Sequence, residues 1–365
     1  MNAERFHAIV TALSQEMAER NLVGKMQELI NALQNVVSQP QHPPHQQSLA
    51  NSLKSMYSAT TDAPSDRFSP TWRQILSEIG GEDLFGNALE KTIKQVFERN
   101  QITPAVALQE LQGIQKRLQA FKNALEQAIS ALRHFRIGDE TLSPGQCEIG
   151  LLIPRKAVSN CLPELAEELK ELSFILNAFS EVATGKKVDL PIRSISSTDL
   201  MVYLDAVLPF AACLAVAIER TVTLYKQLLE IRKLREDLRK QGVPDEQTVG
   251  IEDYANKLIE GGIEKASVEI IDKFYHQKDG GRKNELLNAV RISLNKIANR
   301  IDRGYNLEVR VEPIQAKEED TKKDQHIREA ILTIQSATPK MQFLKLEGEP
   351  ILKLPEGKEK AKKKE

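Results

Sequence analysis

Between Pro104 and His134 apolar side chains recur in alternating steps of three and four: Leu111, Ile114, Leu118, Phe121, Leu125, Ala128 and Leu132. That heptad seam constrains the fold more than any other feature, because a helix so patterned must set its stripe against another helix to leave water. Thr103-Pro104 supplies the start, a capping residue followed by a proline at the first helical position. The partner is either another part of the chain, as in a bundle, or a second copy. The helices that precede the seam need a face to pack on, which favours the bundle.

Those preceding helices are legible. Phe6, Ile9, Leu13 and Met17 mark one stripe, and Met26, Ile30, Leu33 and Val37 mark a second, with a break at Asn21 to Gly24. The run Gln39-Pro40-Gln41-His42-Pro43-Pro44-His45 reads as an exposed connector, since its prolines disfavour helix. A second polar loop is expected over Ser58 to Ser69. Ser69-Pro70 then opens a helix with Trp72, Ile75, Leu76 and Ile79 on its inner face, and another carries Leu89, Ile93, Val96 and Phe97.

Beyond Leu142-Ser143-Pro144-Gly145 the character changes. Glu148 to Ile153 is a short apolar run closed by Pro154, more strand than helix. An amphipathic helix follows from Pro163 to about Ser180, with Leu165, Leu169, Leu172, Ile175, Leu176 and Phe179 inward. Pro191 limits Val188 to Ile195 to an edge strand, and Leu200, Val202 and Leu204 alternate with Met201, Tyr203 and Asp205. The economical reading is a β-α-β-β element with one helix covering a small sheet.

A long helix is expected from Ala206 to about Lys240, with Leu224, Leu228 and Ile231 on the inner side of its second half. Its most apolar part, Ala206 to Ile218, reaches only about 20 Å as a helix, short of the roughly 30 Å of a hydrocarbon core. No membrane span is therefore expected. Two more helices are expected near 251–276 and 282–303. Leu307, Val309 and Val311 alternate as a strand, and 341–354 reads as a hairpin around Glu347-Gly348-Glu349-Pro350.

Several stretches carry a resemblance: Ile79-Gly80-Gly81-Glu82-Asp83-Leu84-Phe85-Gly86, Ile102 to Ala105 with Leu108, Glu110 and Leu111, Glu148 to Pro154, Ile195 to Leu204, and Tyr225 to Leu238. Over roughly residues 70–275 the chain resembles a widespread, uncharacterised bacterial protein family. That resemblance implies no activity and assigns no residue a role.

Composition and motifs exclude more than they identify. Fifty Lys+Arg against 51 Asp+Glu leave a net charge of −1, which argues against a globally basic nucleic-acid coat. Cys147, Cys161 and Cys213 are odd in number and lack CxxC spacing, which fits a reducing cytoplasm better than a disulfide framework. The first ten residues lack the apolar core of a secretory signal. No GxxxxGK[ST], HExxH, GxSxG or GxGxxG is present. Glu4-Arg5-Phe6-His7 has the ExxH spacing of di-iron bundles but no second copy, so it reads as an exposed first turn. No metal site and no cofactor are expected.

Two groups could hold an anion. Ser194, Ser196, Ser197, Thr198 and Asp199 cluster beside Arg193, although a turn or cap between two strands is the better explanation for them. Arg282, Lys296, Arg300 and Arg303 share one flank of a helix whose stripe is Val290, Leu294, Ile297 and Ile301. That flank reads first as a solvated face and second as a phosphate contact without aromatics for base stacking. The candidate anion-binding set is therefore Arg193, Ser196, Ser197, Lys296, Arg300 and Arg303.

Together these readings give an α+β chain, predominantly helical. A helical bundle spans 1–138 with a Pro/His-rich linker near 38–48. A small mixed β-sheet begins with the element at 139–205, long helices project over 206–303, a β-rich segment at 304–355 completes the sheet, and 356–365 is a disordered basic tail. The functional expectation is a non-enzymatic interaction or scaffolding protein. It would bind a protein partner or a second copy through Leu111, Ile114, Leu118, Phe121, Leu125 and Leu132, or through Leu224, Leu228 and Ile231. The alternative is a nucleic-acid or nucleotide sensor in a bacterial defence or stress system.

Overall fold

Prolines and left-handed residues set many of the helix boundaries in the computed structural model, which describes residues 3–196, 200–314 and 322–357. The chain divides into two units, Met1–Thr141 and Leu142–Glu365.

The first unit is helical: α1 (Ala3–Glu19), α2 (Leu22–Ser38), α3 (Pro43–Thr60), α4 (Pro70–Glu78), α5 (Gly86–Arg99) and α6 (Pro104–His134). Asn21, at φ 48°, breaks α1 from α2. Only Gln39 to His42 of the Pro/His segment is the exposed connector expected from its composition. Pro43 and Pro44 occupy the first two positions of α3, where a helix has no use for their missing N–H groups. The polar stretch after Thr60 likewise contains a short 3-10 turn, Pro64–Arg67. Asp66 from that turn accepts the Asn87 amide at 3.0 Å and so caps α5. Gly86 is required there: its φ is +48°, and a Cβ would lie 2.4 Å from the Asp66 carboxylate.

The second unit contains a four-stranded sheet in the order β2 (Ile192–Ser196), β3 (Met201–Ala206), β1 (Cys147–Leu152), β4 (Asn306–Val311). It is antiparallel throughout rather than mixed. β1 and β2 share a direction but β3 lies between them, and β3 and β4 share a direction but β1 lies between them. Helical crossovers therefore never place like-directed strands side by side. Ile149 faces Leu204 on one side and Val309 on the other, and Met201, Val202, Tyr203 and Leu204 are all buried.

Around the sheet lie α7 (Leu162–Thr184), α8 (Leu208–Lys226), α9 (Leu229–Lys240), α10 (Asp245–Phe274), α11 (Gly280–Asp302) and α12 (Lys322–Ala337). The long helix expected over 206–240 is two helices. The Gln227 and Leu228 amides bond three residues back, to Leu224 and Tyr225, and this tightened turn interrupts the α-helical ladder. Its first half is a core helix, as its all-round apolar character predicts: Phe210 to Ile218 is buried at every position. Leu208–Lys226 is long and apolar enough to cross a bilayer, longer than the apolar run alone suggests, and 72% of its most apolar window is buried within the protein.

The segment expected to be β-rich is only partly so. β4 completes the sheet, α12 follows, and 341–354 forms no hairpin. It runs instead as an extended strap, without helix or strand among its residues. Residues 358–365, most of the expected basic tail, lie outside the described residues.

Candidate functional site

Helix α11 packs against α7, α8 and α10 in the second unit. Ten consecutive residues, Ser293 to Asp302, are buried, although Asn295, Lys296, Asn299, Arg300 and Asp302 are among them. Two faces of the helix account for these polar groups.

The first face meets α7. Arg300 Nε lies 2.7 Å from Glu168 Oε1 and its Nη2 lies 3.2 Å from Oε2, a two-pronged contact. Lys296 pairs with Glu171 and stands over the Phe174 ring at 5.3 Å. Arg282 Nε lies 2.9 Å from Glu181. The basic flank is thus a charge zipper between two helices rather than a solvated face, and Lys296 and Arg300 are 8% and 4% exposed. Leu169 is half out of the core, at 38% exposure.

The second face holds the strap. Asn295, Asn299 and Asp302, at i, i+4 and i+7, form one line on α11. Asn295 Nδ2 donates to the Pro355 carbonyl at 2.8 Å. Asn299 takes both main-chain groups of Leu354, accepting from its N–H and donating to its carbonyl, each at 3.0 Å. Asp302 Oδ2 accepts the Ile351 and Leu352 amides at 2.6 and 2.7 Å. From α10, Asn256 Oδ1 accepts the Lys353 amide at 2.8 Å. From α9, Arg232 donates through Nε to the Glu347 carbonyl at 2.7 Å and through Nη2 to that of Gly348. Side chains of three helices therefore satisfy main-chain groups between Glu347 and Pro355 that a hairpin partner would otherwise have met. Ile351, Leu352 and Leu354 are buried.

Asp302 would be costly alone. It is 1% exposed and sits at the C-terminal end of α11, where the helix dipole disfavours an anion. Arg232 Nη1 at 2.7 Å, the Tyr225 hydroxyl and the two strap amides offset that cost. Burial, helped by the Asp302 charge, pushes the Tyr225 hydroxyl well above the ordinary phenol range, so it stays a proton donor.

At the end of the strap a cavity of about 500 Å³ opens between α10 and α11, lined by Lys257, Glu260, Glu264, Arg291, Ile292 and Asn295 together with Pro355 and Gly357.

The residues singled out from sequence sit elsewhere. Leu111, Ile114, Leu118 and Leu125 are buried in the first unit's core, with Phe121 and Leu132 packed against it. There α6 meets α1, α2 and α5. Leu228 is buried and Leu224 and Ile231 are half-buried in the second unit's core. Arg193 Nε is 2.9 Å from Asp205, and Ser196 is buried on the same strand. Ser197 lies outside the described residues. Arg303 is exposed just past α11. The anion-binding set is thus divided between β2 and α11. The Glu4-to-His7 turn is not exposed as expected: Arg5 and His7 are 1% and 4% accessible, and His7 Nδ1 lies 2.8 Å from the Ile137 carbonyl oxygen. Among the described residues no group of three or more His, Cys, Asp or Glu is placed to hold a metal.

No protein family, curated protein or solved structure matches this chain. Arg232, which the sequence pattern places on the outward side of its helix, is buried, and Asn256, Asn295, Asn299 and Asp302 carry no signal of their own. The available signal was the polar line at 295, 299 and 302, beside an apolar stripe at 290, 294, 297 and 301.

Proposed function

We propose that this chain is a non-enzymatic interaction protein that binds extended polypeptide in the groove between α9, α10 and α11. The observation that carries the reading is the pair of hydrogen bonds from Asn299 to the N–H and carbonyl of Leu354, continued by four further side chains along the strap. Contacts to main chain recognise an extended backbone, and apolar pockets at alternating positions select what it carries; peptide-recognition domains divide the work in the same way. The strap is then the resident occupant, and a partner would present a similar segment, apolar where Ile351, Leu352 and Leu354 are. The two helix stripes are turned inward within their own units, so the groove supports partner binding better than they do. The reading includes a cytoplasmic location, supported by three free cysteines.

The test uses a fluorescein-labelled peptide with the sequence of residues 347–357 and anisotropy as readout. The acceptor is the full chain carrying Ile351→Asp and Leu354→Asp, which vacates the groove. Saturable binding is expected, at least tenfold tighter than to the unsubstituted chain, whose own strap competes, and weakened at least tenfold by adding Asn299→Ala. A folded, strap-substituted chain that ignores the peptide would overturn the reading.

A further inference from the structure

At its two ends the groove meets more than the backbone of the strap. At the C-terminal end Asn299 uses both hydrogens of its side-chain amide: one goes to the Leu354 carbonyl and the other to Glu356 Oε1 at 2.6 Å. Arg300 Nη1 lies 3.8 Å from the second oxygen of the same carboxylate. Asn299 and Arg300 are 3% and 4% exposed, so a donor and a cation are held out of water against this one position, and Arg300 also serves Glu168 on α7. That pair favours a carboxylate; an ammonium group there would meet a buried charge of its own sign.

The N-terminal end sets a different condition. Gly348 has φ +74°, and a Cβ on it would fall 2.8 Å from Glu236 Oε2 and 3.1 Å from Glu236 Cβ on α9. That left-handed residue lies where Arg232, itself 4% exposed, takes the Glu347 and Gly348 carbonyls. An L side chain at such a φ is disfavoured roughly five- to thirtyfold, before any clash with Glu236. Between the two ends the strap is read less closely. The Glu349 and Lys353 side chains are 66% and 78% exposed, and their ion pairs with Arg239 and Glu252 are surface contacts of small energetic weight.

We propose that the groove selects its occupant at these two ends. The partner is a segment of another protein of the form Gly-x-x-apolar-apolar-x-apolar-x-acid, its glycine at Arg232 and its carboxylate at Asn299 and Arg300. This rests on the reading of the groove as a peptide site and adds a sequence rule to it. The ends also fix the direction of the bound chain, since only one orientation brings glycine to Arg232 and the acid to Arg300. A second copy is a poor source of the segment. Its own strap is already seated, so exchange between copies gains no contact that it does not give up.

The test repeats the anisotropy titration of the labelled 347–357 peptide, against the full chain carrying Ile351→Asp and Leu354→Asp, with three peptide variants. Gly348→Ala should weaken binding at least about fivefold and Glu356→Lys at least about tenfold, while Lys353→Ala stays within about threefold of the parent. The same three substitutions, each made alone in the full chain, give a second reading that needs neither the peptide nor the doubly substituted acceptor. Amide hydrogen exchange at Ile351, Leu352 and Leu354 should speed up at least about fivefold with the first two and hold steady with the third. If the parent peptide binds and either Gly348→Ala or Glu356→Lys binds equally well, the sequence rule is overturned while the peptide groove stands. If no peptide binds a folded acceptor, both fall. Equal exchange in all three full-chain variants overturns the rule by itself. Dimerisation of the unsubstituted chain, seen by light scattering and abolished by Glu356→Lys, would make the occupant a second copy and overturn its assignment to another protein.

Discussion

Asp302 faces Arg232 across 2.7 Å, and the two residues grip the same strap from opposite ends of one network. Arg232 holds the carbonyls of Glu347 and Gly348 while Asp302 holds the amides of Ile351 and Leu352. Removing either partner leaves the other's charge buried without its counter-charge. Asp302→Ala takes the carboxylate from a buried guanidinium that keeps only neutral acceptors, and leaves two amides without their acceptor, so it should lower the stability of the second unit by about 3–5 kcal/mol. Urea denaturation followed by a probe in that unit reads the change; a loss below about 1 kcal/mol would mean that water replaces the carboxylate and that the strap is loosely held.

Glu168 and Arg300 allow the charge zipper to be weighed. Glu168→Ala alone leaves the buried Arg300 guanidinium with only the more distant Glu356 carboxylate, at 3.8 Å, as counter-charge and should cost up to about 3–5 kcal/mol, whereas replacing both residues with methionine should be nearly neutral, because two desolvation penalties vanish together. A double-mutant cycle on denaturant midpoints separates these outcomes. Additive single effects would show that the bridge is as inconsequential as a surface pair.

This zipper also marks where sequence reading fails. Helix α11 was legible as a helix from its apolar stripe, although Gly280-Gly281, which read as part of the separating turn, form its first turn behind the Asp279 cap. Whether its basic flank met water or an acidic helix was not legible, because Glu168 and Glu171 lie 132 and 125 residues away from Arg300 and Lys296. The same limit hid the strap. Residues 341–354 have the apolar content of a hairpin, and only the polar side chains of three distant helices divert the backbone from pairing with itself. Pro43-Pro44 failed for a local reason instead: two prolines read as a linker unless the residues behind them are recognised as a helix for which they form the first turn. The seam of α6 was legible because its partner faces, on α1 and α2, carry their own periodic stripes.

Leu118 tests the packing of that seam. It is fully buried at the middle of α6, and Leu118→Ala should cost about 2–5 kcal/mol through lost apolar contact and the cavity left behind. Phe121, only partly buried, should be less sensitive to a change that keeps its bulk, such as Phe121→Leu. Thermal unfolding of the full chain checks both; equal sensitivity would mean that the seam is not centred on Leu118.

Glu16 gives the first unit a pH dependence with a definite sign. Its carboxylate is buried, and burial raises its pKa above the ordinary 4.5 even though Ser65 donates to it through both amide and hydroxyl at 2.8 Å. In the window between 4.5 and the raised folded value the native state binds more protons than the unfolded chain. The associated stability is therefore fully present below 4.5 and is lost as pH rises through the folded value. Asp66 has the same sign, also through burial. Asp83 has the opposite sign: Arg117 holds its carboxyl below 3.8, so its contribution is present above 3.8 and is lost only in stronger acid. Glu16→Gln keeps one acceptor for the Ser65 amide, gains a donor for its hydroxyl, and removes the titration. The stability of the natural chain relative to this variant, measured by denaturant midpoint, should rise on going from pH 7 to pH 5. A difference that stays constant, or that falls with acidification, would show that the buried carboxylate is already compensated in its charged form.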